Sequence, residues 1–265
     1  MKFYDMRKSM KKLLLTSIAI CCLSVIIPCK VYALDITVGA TTWFAWWDID
    51  QGKMAADISP KFLYGPALAV KFNDDFNLTF VFLYGKYDYD GSEYHSGVFN
   101  DSIKTKRSDS DLAINYKLHD YFKVFAGLKY MAYTMDRKSG AVPTAAQPDP
   151  MRISIKSDHY GIGPGMGLSA TYPIIDNLFI LGTFSGFYLW GNEEVSPNYE
   201  QNHNISLNEY GFNSNISIAY YIAPASTVVS LGGRFQYFIT QYDEYINIRH
   251  MFYGITLTAT YTFSI

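Results

Sequence analysis

The chain has 265 residues, of which 17% are aromatic and 17% are charged, a mixture that suits strands with one apolar and one polar face. Residues 1–33 hold six of the 22 Lys and Arg and one of the 24 Asp and Glu, so the remainder has 16 bases against 23 acids. This acidic balance argues against nucleic acid as a partner. All three cysteines also lie within residues 1–33, which excludes a disulfide or a Cys-ligated metal from the rest of the chain.

The N-terminus has the features of an export signal. A basic stretch is followed by an apolar run too short for a spanning helix, and Ala33 ends the small-residue motif that signal peptidase requires. Lipidation would need a small residue before Cys29, where the chain has Pro28. We therefore predict a signal peptide at 1–33, cleaved after Ala33, and a mature domain at 34–265.

The mature chain shows alternation with period two and no sustained helical periodicity. In the segment 121–133, for example, Val124 and Leu128 alternate with Lys123 and Lys129. The pattern predicts about ten strands, at 35–48, 61–72, 76–88, 107–118, 121–135, 157–172, 178–190, 207–222, 228–240 and 247–265.

The predicted connections alternate between long polar loops and short turns. A loop with Gly52 and Pro60 follows the first strand, and a turn at 73–75 follows the second. An even strand number places both termini at the short-turn side and the five long loops on the other. Aromatic residues near strand ends predict interfacial girdles: Trp43, Trp46, Trp47, Tyr84, Tyr87, Tyr188, Trp190, Tyr220 and Tyr221.

The last strand alternates in the same way and ends in Tyr261, Phe263 and Ile265. It resembles the terminal strand that bacterial outer-membrane β-barrel proteins present to the barrel-assembly machinery, although those chains usually end in Phe or Trp. The resemblance covers the whole mature chain at the level of the class. It implies an all-β, antiparallel up-and-down transmembrane β-barrel in a bacterial outer membrane, with lipid and lipopolysaccharide around it.

If the apolar face of each strand contacts lipid, the opposite face lines the lumen. The predicted lumen-facing polar residues are Lys61, Lys71, Asp109, Asp111, Asn115, Lys117, Lys123, Lys129, His159, Glu209, Arg234, Gln236 and His250. Bases outnumber acids in this set, which is typical of a narrow anion-preferring passage. Mixed charges also form salt-bridged cores, and a barrel of about ten strands is only slightly wider than one that side chains fill.

A glycine ladder occupies alternate positions of the sixth strand, at Gly161, Gly163, Gly165 and Gly167. Its spacing lies within a strand and no helix follows, so it is not a dinucleotide-binding motif. The glycines either let the sheet bend and give large inward neighbours space, or leave room for a ligand or pore.

The sequence contains only incomplete matches to known catalytic sites. Asp88 and Asp90 loosely resemble the first acid pair of the omptin proteases, but period two points Asp158 and His159 to opposite faces. No outward His and Ser stand together, as lipid A deacylases need. The acidic loops lack an ordered calcium-binding spacing, although the segment 87–91 comes near one.

The sequence therefore predicts a barrel with a mostly filled polar lumen and a structural or surface-binding role. It predicts neither catalytic residues nor a cofactor nor a metal site, and it identifies no extracellular ligand. A narrow, mildly anion-preferring solute channel is the alternative, and an outer-membrane enzyme is the third candidate.

Overall fold

The computed structural model describes residues 34–51, 54–90, 102–140, 152–197, 203–242 and 246–265. The predicted signal peptide lies outside these residues. Ten strands occupy nearly all of the described chain, as the alternation predicts. They are β1 (Asp35–Gln51), β2 (Met54–Lys71), β3 (Phe76–Asp90), β4 (Ser102–His119), β5 (Phe122–Gly140), β6 (Arg152–Ile175), β7 (Leu178–Pro197), β8 (His203–Ile222), β9 (Thr227–Tyr242) and β10 (Ile246–Ser264).

The strands form one closed antiparallel barrel in which each pairs with its neighbours in sequence and β1 pairs with β10. This confirms the predicted all-β up-and-down topology. Closure gives every strand a hydrogen-bonded neighbour on both sides, although the β2–β3 ladder ends at Leu63 and Gly85, before the loop end. Among the described residues, no helix is long and apolar enough to cross a membrane.

The barrel has two distinct ends. At the turn end, β2–β3, β4–β5, β6–β7 and β8–β9 are joined by short turns, and β1 begins and β10 finishes there. The β2–β3 turn forms because the Asn73 side-chain oxygen accepts hydrogen bonds from the backbone N–H groups of Asp75 (2.9 Å) and Phe76 (2.8 Å). We call the opposite end the loop end.

The predicted strand ends were wrong mainly at the loop end. There β4 begins at Ser102 instead of 107, β6 at Arg152 instead of 157, and β7 continues to Pro197 instead of 190. Polar residues continue these strands beyond the apolar stretches, so hydrophobic periodicity stops before the backbone pairing does.

The predicted loop around Pro60 was also wrong, because Pro60 lies inside β2. The β1–β2 register shifts between Ala45 and Trp47, which pair with Lys61 and Ile58, and this irregularity takes up Pro60. Proline cannot donate to a strand ladder and is tolerated at such a bulge. Similarly, Pro173, just beyond the predicted end of the sixth strand at residue 172, belongs to β6.

The outer surface carries a broad apolar belt. Exposed fractions reach 68% at Ile216 and 67% at Met166, which is typical of a surface in contact with lipid. Other exposed apolar residues are Phe62, Leu68, Ile114, Leu128, Ile162, Leu168, Phe184, Ile218, Leu231, Ile255 and Leu257.

The aromatic girdle was wrong in part. Trp46, Tyr84 and Trp190 do lie on the outer face, but Trp43, Trp47 and Tyr87 point inward and are at most 1% exposed. Adjacent residues of a strand face opposite sides, so Trp46 and Trp47 cannot both belong to the girdle. The inward aromatics build the lumen instead.

Candidate functional site

A layer of aromatic side chains crosses the lumen, and we call it the seal. Trp47 stacks on Phe252, with ring centroids 5.0 Å apart, and meets Tyr87 edge-on at 5.3 Å. Phe238 lies parallel to Phe252 at 6.1 Å, and Trp43 lies 6.1 Å from the same ring. All five side chains are at most 1% exposed. Rings from four strands thus close the bore at this level.

Arg107 completes the seal from β4. Its guanidinium lies 3.6 Å from the centroid of Phe252, within the range of a cation–π contact, and the residue is fully buried. The same group donates hydrogen bonds to Asp109 (2.9 Å) and to the side-chain oxygen of Gln236. A planar cation that both stacks and forms ion pairs links the aromatic layer to the charged residues beside it.

Asp109 is the centre of that charged cluster. Its carboxylate lies 2.6 Å from Lys129, 2.9 Å from Arg107 and 3.8 Å from Arg234. Asp111, two residues along the same face, lies 3.1 Å from Lys129 and 3.9 Å from Arg234. Three cations and two acids therefore form one ion-pair cluster in the middle of the lumen, with an excess of one positive charge.

A second polar group lies toward the loop end. The His159 ring nitrogens lie 3.1 Å from Glu209 and 3.9 Å from Glu193. Thr240 donates a hydrogen bond to Glu209 (2.9 Å), and Ser157 donates one to Glu193. These side chains cross-link β6, β7, β8 and β9 from inside.

His250 belongs to the aromatic layer. It accepts a hydrogen bond from the Trp47 indole (3.3 Å) and stacks on Phe238 at 4.7 Å.

Between the seal and the turn end lies a cavity of about 410 Å³. Its lining runs from Phe187 and Arg234 beside the seal to Lys123 near the turn end. Amide and hydroxyl groups make up much of the rest: Asn77, Thr79, Asn115, Ser169, Thr183, Ser185, Asn213 and Asn215. The lumen is thus closed in one part and open in another.

The glycine ladder leaves space for neighbouring side chains at some positions and lines the cavity at another. A Cβ at Gly161 would lie 2.8 Å from the Glu209 carboxylate, and one at Gly167 would lie 2.6 Å from the Phe125 ring. Large inward neighbours therefore use that space. At Gly165 the nearest atom to a Cβ would be 3.5 Å away, and this glycine lines the cavity.

All the residues predicted to face the lumen have inward positions in their strands, but at different heights. The buried members are Asp109, Asn115, Lys129, His159, Glu209 and Gln236, and those partly accessible are Lys61, Asp111, Lys123, Arg234 and His250. Lys71 and Lys117 lie at the turn end and bind Asp74 (2.8 Å) and Asp120 (2.7 Å). Hydrogen bonds from these lysines lower the pKa of each turn aspartate below its usual value.

Sequence reasoning missed the residues that close the lumen. Arg107 shares the odd-numbered face with Asp109 and Asp111, so extending the alternation by one step identifies it. The inward orientation of Trp43 and Trp47 follows from Trp46 facing lipid. The sequence carries no signal for the distances among them.

The structure also shows where the candidate catalytic residues and the predicted assembly signal lie. Asp88 is exposed on the outer face of β3, whereas His159 is buried in the lumen. At the turn end of β10, Tyr261 is exposed on the lipid side and its ring lies 6.1 Å from that of Phe263. Ile265 follows and is 73% exposed.

Comparisons with known proteins agree with this architecture. The model of the family described as Legionella pneumophila major outer membrane protein precursor matches residues 110–250. No curated protein matches the chain.

Among solved structures, the outer membrane protease OmpT of Escherichia coli is 12% identical, with 87% of this chain and 97% of that chain covered and a TM-score of 0.54. At this identity the likeness is one of fold. The translocator domain of the autotransporter NalP from Neisseria meningitidis is 10% identical, with 96% and 97% covered and a TM-score of 0.43. A major outer membrane protein of Thermus thermophilus is 12% identical, with 88% and 100% covered and a TM-score of 0.38.

Proposed function

Because the chain belongs to the Legionella major outer membrane protein family and lies in a bacterial outer membrane, we propose that it is a sealed barrel with a structural or surface-binding role. The observation that carries the proposal is the seal, whose aromatic side chains and Arg107 are at most 1% exposed. Bacterial outer-membrane barrels have their short turns at the periplasmic side, so the turn end faces the periplasm and the loop end faces outward.

The packing of the seal supports a lumen that does not conduct. An ion crossing at this height would have to separate stacked rings such as Trp47 and Phe252, 5.0 Å apart. It would also have to displace Arg107 from Asp109, leaving a buried charge without its partner. Arg107 joins the aromatic and charged parts of the layer, because it contacts both Phe252 and Asp109.

A narrow anion-preferring channel is the second candidate, and the cavity favours it. Lys123 and Arg234 line the cavity on the periplasmic side, and rings of cationic side chains favour anions. Conduction would need the seal to rearrange. An enzymatic role is the third candidate. Asp88 faces outward and His159 faces the lumen, so these two residues do not form a catalytic pair.

We propose that outer-membrane lipid and lipopolysaccharide surround the barrel. We also propose that the barrel-assembly machinery inserts it and recognises the terminal residues Tyr261, Phe263 and Ile265. Nucleic acid is not proposed as a partner, given the acidic chain.

Planar-bilayer conductance of the refolded protein tests the proposal. We expect no steady current from the parent and an open, mildly anion-selective pore from Trp43→Ala/Trp47→Ala, which removes two of the five rings of the seal. Trp46→Ala is the matched control, because Trp46 faces lipid and stacks on Tyr253 at 5.8 Å. It should remain closed.

A large steady current from the parent would refute the sealed lumen and favour the channel. An enzyme would instead be indicated if the parent cleaved peptide or lipopolysaccharide substrates and His159→Ala abolished that turnover.

A further inference from the structure

A basic patch lies on the outer face of the barrel, at the loop end of four adjacent strands. It consists of five exposed lysines, Lys86 on β3, Lys104 and Lys106 on β4, Lys138 on β5 and Lys156 on β6. Each occupies an outward position, because its strand neighbours Tyr87, Thr105, Arg107, Arg137 and Ser157 face the lumen. The patch is therefore separate from the lumen and its cavity.

Two of these lysines form an unfavourable pair. Lys86 and Lys106 lie directly opposite each other in the β3–β4 ladder, and like charges at opposed positions destabilise a sheet. Neither forms an ion pair with any residue that the structure describes. By contrast, Lys156 lies 3.1 Å from Asp158. An anion between Lys86 and Lys106 would relieve their repulsion.

Outward acids also lie at the loop end of the barrel. Asp48, Asp50 and Glu194 occupy the loop end of β1 and β7, and Arg249 on the neighbouring β10 lies 3.4 Å from Asp50. Within the β3–β6 side, Asp88 lies opposite Lys104, and Asp136 lies opposite both Lys104 and Lys156. Together with Asp158 these acids offset three of the five lysine charges, but no acid lies directly opposite Lys86 or Lys106.

The height of the patch matches the headgroup layer. Tyr84, an outward aromatic residue, lies directly opposite Ser108, and Lys86 follows it by two residues. At about 3.3 Å per residue, the lysine lies roughly 7 Å beyond the aromatic side chain along the strand. Aromatic girdles mark the interface of the membrane, so the ammonium groups lie where lipid phosphates do.

We propose that Lys86 and Lys106 bind a phosphate of the phosphorylated glycolipid in the outer leaflet, namely the lipid A part of lipopolysaccharide, with Lys104, Lys138 and Lys156 as flanking cations. Lysine is an established point-charge ligand of phosphate. The site does not depend on whether the lumen conducts. It requires only that the loop end faces the outer leaflet.

Native mass spectrometry of the refolded full barrel in detergent micelles, titrated with diphosphorylated lipid A, tests the proposal. We expect Lys86→Gln/Lys106→Gln to bind about 30-fold more weakly than the parent, about five-fold for each lysine near a phosphate surface. Lys86→Arg/Lys106→Arg should retain binding. Lys71→Gln/Lys117→Gln is the matched control at the turn end, with the same change in charge, and should bind as the parent does.

A stability measurement separates lipid binding from a structural effect. Without lipid A, Lys86→Gln/Lys106→Gln should unfold in urea at the same or a higher midpoint than the parent, because the opposed charges are gone. Adding lipid A should raise the midpoint of the parent more than that of the variant.

The site would be overturned by equal affinity of parent and Lys86→Gln/Lys106→Gln for diphosphorylated lipid A, or by equal binding of lipid A stripped of its phosphates. Competition by inorganic phosphate at the concentration of the lipid would equally overturn it, since the site would then be one for free anions.

Discussion

Replacing Asp109 by Asn is the sharpest test of the charged cluster in the lumen. Asp109 is 1% exposed and lies within 4 Å of Arg107, Lys129 and Arg234. Its loss leaves three cations facing one another, with Asp111 as the remaining acid of the cluster. Removing one partner of a buried ion pair costs about 3–5 kcal/mol, and we expect Asp109→Asn to lower the free energy of unfolding by this amount.

Asp111→Asn is the matched control, because the residue is on the same strand and face and contacts two of the same cations. Its side chain is 39% exposed, so water already screens its ion pairs. Because Lys129 and Arg234 are themselves only 2% and 13% exposed, water screens these pairs in part, and the control should cost less than Asp109→Asn. The measurement is urea unfolding of the refolded barrel in micelles, followed by tryptophan fluorescence.

A double-mutant cycle with Lys129→Met completes the test. Removing Asp109 and Lys129 together leaves fewer uncompensated charges than the two single changes imply, so we expect a coupling energy of about 0.5–3 kcal/mol. Equal losses for Asp109→Asn and Asp111→Asn, or a coupling energy of zero, would refute the view that Asp109 holds the cluster together.

Three further predictions concern the lipid face, the glycine ladder and the turns. Leu128→Lys should lower stability by about 2–4 kcal/mol more than Leu128→Ala in vesicle refolding, because it places a charge against hydrocarbon; equal losses would show that Leu128 does not face lipid. Gly163→Ala should cost about 1–3 kcal/mol, since its Cβ would lie 2.0 Å from a carbonyl oxygen of β7, whereas Gly165→Ala, whose Cβ would meet its nearest atom at 3.5 Å, should be tolerated; the reverse order in urea unfolding would contradict the register. Asp74 should titrate below the usual aspartate range by NMR and return to it in Lys71→Met, so its stabilising ion pair persists at neutral pH and is lost as the pH falls through the lowered pKa; an unchanged titration in the variant would disprove the link.

The sequence predicts the class of fold well, because period two extends over the whole mature chain and the topology follows from the strand count. It also predicts faces, since one outward residue such as Leu128 assigns Lys129 to the lumen. It fails where a proline lies inside a strand: Pro60 and Pro173 are typical of loops, yet a bulge or a strand end takes them in.

Heights and partners could not be predicted in the same way. Asp109 and Asp111 are indistinguishable by alternation, but one is buried among three cations and the other is partly accessible. The difference arises from which neighbours on other strands lie at the same level. That level depends on the register of several strand pairs around the closed barrel, and local sequence does not encode it.

The division of the lumen follows from the lengths of the side chains available to fill it. A barrel of this size is slightly wider than short aliphatic residues can close, so only long or planar groups reach the centre. Trp43, Trp47, Arg107 and Phe252 supply them at one level and are fully buried or nearly so. At the cavity, Asn, Ser and Thr side chains reach neighbours on adjacent strands but are too short to fill the lumen, which stays open there. The high aromatic content of the chain therefore serves two faces: one share contacts lipid, and the other determines where the barrel is closed.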